Sequence, residues 1–380
     1  MIEDAGIRCL VARQGLQQLR FAPDSDAPAA RPLADGEVRL ATAHFALTAN
    51  NITYAAFGEA MQYWRFFPAE DADWGCIPVW GFATVCESRV DSVPRGTRVY
   101  GYLPMGSHVV LQPRRVNEQG FMDGSAHRQD LAAAYNHYRF CASDPGYSVD
   151  GEARQALLQP LFATAFLIDD FLQEQAWFGA EQLVLSSASS KTAWSTAFCI
   201  AQRPAGERPR LLGLTSPGNQ AFVQGTALFD DVLPYDALES LDRQRPTVYV
   251  DFAGHSGLRR RVHQHFGDAL GHSCAVGGTH WGDLGGGGGL PGPRPVLFFA
   301  PGQMKKRSAP PPEGWGPGGL QQRMAQSWSG LMSALDSSAK RGQPWLDVHT
   351  AQGATAVEAA YRQLLGGQTP PQQGWMLAMR

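Results

Sequence analysis

The sequence predicts an α/β protein, with a doubly wound parallel sheet in the middle of the chain and a second, mostly β domain. Three observations predict it. From residue 182 to residue 300 short β-rich runs alternate with helical segments, the signature of a parallel sheet with crossover helices. From Glu37 to Val110 short β-like runs are instead separated by Gly and Pro. The length of 380 residues exceeds the roughly 250–300 that one core supports, so two domains are expected.

In chain order, Val38 to Ala43, Val79 to Glu87 and Arg98 to Tyr102 are the β runs of the first domain. The sheet follows as six candidate strands: Gln182 to Ser186, Arg210 to Thr215, Val232 to Tyr235, Thr247 to Phe252, His272 to Val276 and Val296 to Ala300. Thr192 to Gln202, Asn219 to Thr226 and Gly257 to Phe266 read as helices between them. Six strands in that rhythm are what a Rossmann-type dinucleotide fold requires. The five consecutive glycines Gly285 to Gly289, with Pro291, Pro293 and Pro295 close behind, are expected to form a mobile surface loop. Helical periodicity resumes at Leu320, and Ala356 to Leu365 reads as an amphipathic helix. The expected boundaries are 1–150 for the β-rich substrate domain, 151–300 for the nucleotide domain and 301–380 for a return to the first.

Composition narrows the function classes. A net charge of −3 with 18% charged residues and no basic block gives no electrostatic footing for DNA or RNA. The longest apolar stretch, Leu161 to Ile168, falls far short of the roughly 20 residues that span a bilayer. The amino terminus has Glu3 and Asp4 and no apolar run, so no secretory signal is expected. The six cysteines lie far apart, without the spacing of zinc ribbons or redox pairs, and fit reduced thiols buried in a cytoplasmic protein.

The sharpest local feature is the run Leu183-Val184-Leu185-Ser186-Ser187-Ala188-Ser189-Ser190-Lys191-Thr192-Ala193, a strand passing through a small-residue turn into a helix. Small side chains let a backbone approach a phosphate, and the helix amino terminus offers free N–H donors and a partial positive charge. Ser187, Ser189, Ser190, Lys191 and Thr192 are therefore candidate cofactor-binding residues. The glycines of a G-x-G-x-x-G fingerprint are absent, so the motif is weak outside its context, and a serine-rich helix cap with a solvated lysine is the plain alternative. A Walker A loop is excluded by the lack of glycine at both required places. The second strand ends in Thr215-Ser216 without the Asp or Glu that would bind both ribose hydroxyls of NAD. Thr215, Ser216 and Asn219 suit a 2′-phosphate, which favours NADP, unless they only cap the next helix.

With these elements placed, a resemblance emerges. "VLSSASSKTAWSTAFCIAQ", "TALFDDVLPYDAL" and "PTVYVDFAGHSGLRR" resemble successive parts of the nucleotide domain of zinc-free, quinone-oxidoreductase-like medium-chain dehydrogenase/reductases. "GEVRLATAHFALTANNITYAAFG" and "GTRVYGYLPMGSHVVLQP" resemble the GroES-like domain of that superfamily. More narrowly, "ALTANNITYAAFG", "IPVWGFATV", "SSASSKTA" and "FFAPGQMKKR" look like domain-of-unknown-function family 2855. The superfamily implies NADP(H)-linked reduction of an activated C=C or C=O bond of a small molecule, and a homodimer. Where zinc-dependent members place Cys and later His-Glu, this chain has Thr48 and Trp80-Gly81, so neither catalytic nor structural zinc is expected. Hydrogen-bond donors must then polarise the substrate.

Tyr54, four residues before Gly58, stands where zinc-free relatives carry a tyrosine; it is the first candidate for donor to a developing enolate or alkoxide, its phenol staying protonated at neutral pH. Asn51 shares the stretch and is the second catalytic candidate, with Asn50 beside it. Both the tyrosine and the asparagines have bland readings, as core ring and turn residues. Tyr135 and Tyr138, just before the nucleotide domain, are candidate substrate-binding residues, with packing on a helix surface as the alternative. Thr164 resembles a position that faces the nicotinamide, with a back-bonded helix threonine as the alternative. His280-Trp281 and Phe298 to Pro301 follow the last strands, where ligands bind open sheets. Lys305, Lys306 and Arg307 read as a solvated face or as partners of an acidic substrate tail. The leading expectation is an NADP(H)-dependent reductase. The rival is a nucleotide-binding protein without hydride transfer, a sensor or assembly partner, and non-redox lyase chemistry with a retained nucleotide is a third reading.

Overall fold

The computed structural model describes residues 6–276 and 289–380; His280, Trp281 and Gly285 to Gly288 lie outside the described residues. The chain forms two compact units, one of Met1–Gln159 with Asp347–Arg380 and the other of Pro160–Leu346.

The first unit is mostly β. Strands β1 (Ile7–Ala12), β2 (Gly15–Pro23) and β4 (Trp74–Gly75) make a small sheet in the order β2-β1-β4. The larger sheet has nine strands, in the order β17-β18-β3-β5-β6-β10-β9-β8, with β7 paired to β3. These are β3 (Val38–Leu47), β5 (Pro78–Ser88), β6 (Arg98–Pro104), β7 (His108–Leu111), β8 (Pro113–Asn117), β9 (Gly120–Asp123), β10 (His137–Phe140), β17 (Asp347–Gln352) and β18 (Gln373–Ala378). Helices α1 (Ala49–Ala56) and α8 (Ala354–Leu365) belong to the same unit. The β3–β5 ladder is tight at one point. A Cβ on Gly81 would stand 2.4 Å from the His44 carbonyl oxygen, so only glycine fits there.

Helix α2 (Glu152–Glu174) begins in the first unit with a buried carboxylate. Glu152 accepts from Arg98 Nε at 2.9 Å and Nη2 at 2.6 Å and from the Tyr147 hydroxyl at 2.6 Å, and its Oε2 lies 2.6 Å from His44 Nε2. Burial alone would raise its pKa; the hydrogen bonds from His44, Arg98 and Tyr147 outweigh that and bring it down to about 2.

The second unit holds a six-stranded parallel sheet in the order β13-β12-β11-β14-β15-β16. The strands are β11 (Gln182–Leu185), β12 (Arg210–Thr215), β13 (Asp231–Pro234), β14 (Thr247–Asp251), β15 (Leu270–Ala275) and β16 (Val296–Leu297). Counted within the sheet this is 3-2-1-4-5-6, the doubly wound arrangement, whose direction of winding reverses between β11 and β14. Strands β11 and β14 are buried throughout, which explains why they read as apolar runs rather than alternating ones. Val184, Leu212, Leu214 and Tyr249 of the sheet pack with Leu258, Val262 and Phe266 of α5 (Ser256–Phe266).

Helix α3 (Lys191–Ala201) is buried from Ala193 to Ile200, as a helix enclosed on all sides must be. The cover on its far side is α7 (Gly316–Lys340), through Cys199 beside Ser327 and the Phe198 ring against Gly330, while Phe162 of α2 meets Trp328 of α7 edge-on at 5.3 Å. This corrects the expected return to the first domain at residue 301. The apolar face of α3 needs α7, so the chain stays in the second unit until Leu346. The last strand is also shorter than expected, because α6 (Ala300–Ser308) starts at Ala300.

Candidate functional site

The serine-rich turn leaves β11 at the carboxyl edge of the sheet, beside the point where the winding reverses. Ser187 takes a left-handed conformation at φ 49°, as glycine would, and gives its amide to the Tyr235 hydroxyl at 3.2 Å. The Ala188 amide bonds the Leu214 carbonyl at 3.0 Å. Ser189 Oγ accepts from Asn219 Nδ2 at 3.1 Å, and Ser190 caps α3 by accepting from the Ala193 amide at 3.3 Å. In the contacts of Tyr235, Ser189 and Ser190 the hydroxyl oxygen is the acceptor. A hydroxyl also carries a hydrogen, so Ser189, Ser190 and Tyr235 each keep an O–H to donate. Where glycine turns offer backbone amides, this one relays them through hydroxyls.

Lys191 opens α3. As a residue it is partly exposed, yet desolvation of its ammonium pulls it down to about 8. Thr192 is partly exposed too, and its carbonyl accepts from the Thr196 hydroxyl at 2.9 Å. At the end of β12 the Thr215 hydroxyl is buried and has no hydrogen-bond partner among the described residues, while Ser216 is partly exposed and its carbonyl accepts from the Asn219 amide at 3.0 Å. The structure thus gathers Ser187, Ser189, Ser190, Lys191, Thr215 and Ser216 at one edge of the sheet. It adds Tyr235, which the sequence reading passed over although it directly follows a strand.

Thr164 lies on α2. Its hydroxyl donates to the Pro160 carbonyl one turn back at 3.4 Å, the back-bonded arrangement. Lys306 and Arg307 are likewise engaged: Lys306 pairs with Glu174 at 2.8 Å, and Arg307 with Asp170 at 2.7 Å and Glu174 at 3.2 Å. Those two bind α6 to α2 and are not a receptor for an acidic tail.

In the first unit the structure corrects two candidates. Asn51 closes a capping box with Thr48: its Oδ1 accepts from the Thr48 amide at 2.8 Å and its Nδ2 donates to the Pro78 carbonyl at 2.9 Å. Buried and fully committed, it is a cap rather than a catalytic group. Tyr138 lies on strand β10, not on a helix surface, and is fully enclosed; its hydroxyl donates to the Tyr102 carbonyl at 2.5 Å and accepts from Arg128 at 2.9 Å. No substrate reaches it.

Tyr54 sits in an aromatic cluster, 4.4 Å from the Tyr63 ring and 5.8 Å from the Tyr102 ring, with Tyr135 edge-on at 6.5 Å. Burial raises its pKa well above the phenol value, the Tyr135 hydroxyl adding to this while Trp80 and Asn50 oppose it. It is therefore a donor at every physiological pH. Tyr135 is partly exposed, with its hydroxyl 3.4 Å from that of Tyr63. The hydroxyls of Tyr100 and Tyr102 are buried without a hydrogen-bond partner among the described residues. Buried orphan hydroxyls are uncommon, and these two lie inside the aromatic cluster.

The model of a protein family of unknown function, DUF2855, matches residues 45–370. The chain belongs to that family. No curated protein matches the sequence. Solved structures share the fold of this DUF2855 member at low identity. The CurK enoyl reductase aligns at a TM-score of 0.56 and 14% identity, over 99% of this chain and 100% of that one. CurA of Vibrio vulnificus, solved with NADPH, aligns at 0.59 and 12%, over 98% and 99%. The yhdH oxidoreductase of Salmonella enterica, solved with NADP, aligns at 0.51 and 13%, over 98% and 100%. The likeness shows the fold, a Rossmann-type parallel-sheet unit with a mostly β unit.

By the resemblance carried in the sequence, Thr48 and Trp80-Gly81 stand where zinc-dependent medium-chain dehydrogenase/reductases carry ligands; in the structure Thr48 is engaged with Asn51. We expect the purified protein to contain no stoichiometric zinc. Elemental analysis finding about one zinc per chain would contradict this.

Proposed function

We propose that this protein is an NADP(H)-dependent, zinc-independent reductase of an activated C=C or C=O bond in a small molecule such as an enone, a quinone, an enoyl thioester or a ketone. The observation that carries the reading is the turn after β11, where Ser189, Ser190 and Tyr235 present O–H groups and Lys191 opens α3 at the winding reversal of the sheet. The donor set suits phosphates: hydroxyls already held by backbone or amide donors, plus one cation. Thr215, with its buried unpartnered hydroxyl, and Ser216 suit the adenosine ribose and its 2′-phosphate. Bound there, NADPH supplies the hydride. Tyr54, kept protonated by its surroundings, is the proposed donor to the substrate oxygen, and Tyr135 the proposed substrate contact.

One observation favours the rival reading, a nucleotide-binding protein without turnover: the turn amide at Ser187 is already taken by Tyr235. Consumption separates the two. A reductase oxidises NADPH when offered electrophilic alkenes or ketones, while the rival binds NADPH and never consumes it.

Cofactor choice is a further expected result. Thr215 and Ser216 end β12 without a carboxylate, so NADPH is expected to bind at least about tenfold more tightly than NADH, or about 1.4 kcal/mol, within what one charge-assisted contact supplies. Superimposable titration curves for the two nucleotides would contradict it.

A further inference from the structure

Next to the proposed phosphate cradle lies a buried polar knot that the cradle itself does not use. Ser186, the first residue after β11, is fully buried. Its Oγ donates to Asp251 Oδ1 at 3.0 Å and accepts from the amides of Phe252 and Ala253, both at 3.0 Å. Asp251 ends β14; its Oδ1 also accepts from the Gly254 amide at 3.0 Å, and its Oδ2 accepts from Arg259 Nε at 2.9 Å. Asp251 and Arg259 are both buried. One hydroxyl therefore joins the loop after β11 to the loop after β14, across the gap where the direction of winding reverses.

We propose that Ser186 is a positioning residue that sets the two halves of the dinucleotide site against each other. This rests on the nucleotide reading above. In a doubly wound sheet the ligand crosses the reversal point, one nucleoside over β11, β12 and β13 and the other over β14, β15 and β16. The adenosine side is assembled without the Ser186 side chain, by the Ser187–Tyr235, Ala188–Leu214 and Ser189–Asn219 contacts. The other side begins with Phe252, Ala253 and Gly254, whose three amides are aimed inward at Ser186 and Asp251. Without the hydroxyl, the first two amides lose their acceptor in a buried place and that loop must move to find another. Asp251 keeps Arg259 and Gly254, so the ion pair and the sheet survive.

The test is calorimetric titration of wild type and Ser186→Ala with two probes, NADPH and 2′,5′-ADP, the second carrying only the adenosine half. We expect the variant to bind NADPH about tenfold more weakly and 2′,5′-ADP within about twofold of wild type, as loss of one buried hydrogen-bond set on a single side predicts. A role confined to stability would lower the melting temperature and leave both affinities alike. Equal weakening of both probes, or no change in either, overturns the proposal. Wild-type protein that binds neither probe overturns the nucleotide reading, and the proposal with it. If the alanine variant does not fold, Ser186→Cys keeps the volume with a poorer acceptor, and the same one-sided loss is expected in smaller measure, its absence again overturning the proposal.

Discussion

Replacing Lys191 by Met is expected to weaken NADPH binding by about 1.5–3 kcal/mol, roughly 10- to 150-fold, the range for hydrogen bonds to charged groups. The methionine keeps most of the aliphatic stem and removes the charge. Burial pulls the ammonium down to about 8 in the folded protein. The same shift gives a signature in binding. A phosphate beside the ammonium raises its pKa, so affinity is fully present below about pH 8 and falls as pH rises above it. The Met variant is expected to bind weakly without that decline. Equal affinities of variant and wild type at pH 7 would reduce the turn to a helix cap.

Glu152→Gln is the substitution with the largest expected effect on stability. The carboxylate holds Arg98, Tyr147 and His44 from a buried position. Breaking it is expected to cost about 3 kcal/mol, the lower end for a buried ion pair because Arg98 and His44 retain part of their exposure. That corresponds to a melting temperature lower by roughly 6–12 °C for a unit of this size. The pKa is lowered, to about 2, so the stabilisation is present above the ordinary glutamate value of about 4.3 and is lost as pH falls from there towards 2. The gap between wild type and variant in thermal unfolding should therefore narrow as the buffer is taken from pH 6 to pH 3. A constant gap would show that the loss is one of shape rather than of charge.

The β11 turn was readable in the sequence because strand, turn and helix are contiguous, and a chain that runs through five small residues into Lys191 carries its chemistry in order. Tyr235 was not readable in the same way. Its contact with Ser187 spans 48 residues and exists only because β13 lies two strands from β11 in a parallel register. The Ser186–Asp251 knot is likewise a product of two neighbouring strands ending level with each other. Asn51 is the opposite case. The spacing Thr48-x-x-Asn51 is that of a capping box, with the shorter Asn in place of the usual Glu or Gln, and local chemistry explains it without catalysis. Tyr138 misled because aromatic and polar residues from 135 to 138 suit a surface, whereas Tyr138 lies on a strand that turns it inwards, and Tyr135, in the short turn before that strand, is partly exposed. The domain boundary at Leu346 was hidden by the glycine and proline run, which suggests an end to the sheet domain while its covering helix α7 is still to come.

If the second unit binds NADP(H) at the turn that leads into Lys191, calorimetric titration of the purified wild-type protein with NADPH gives a saturable isotherm with one nucleotide per chain, displaced by 2′,5′-ADP and weakened in Lys191→Met. Absence of binding, or binding that neither 2′,5′-ADP displaces nor the Lys191 substitution weakens, would contradict it.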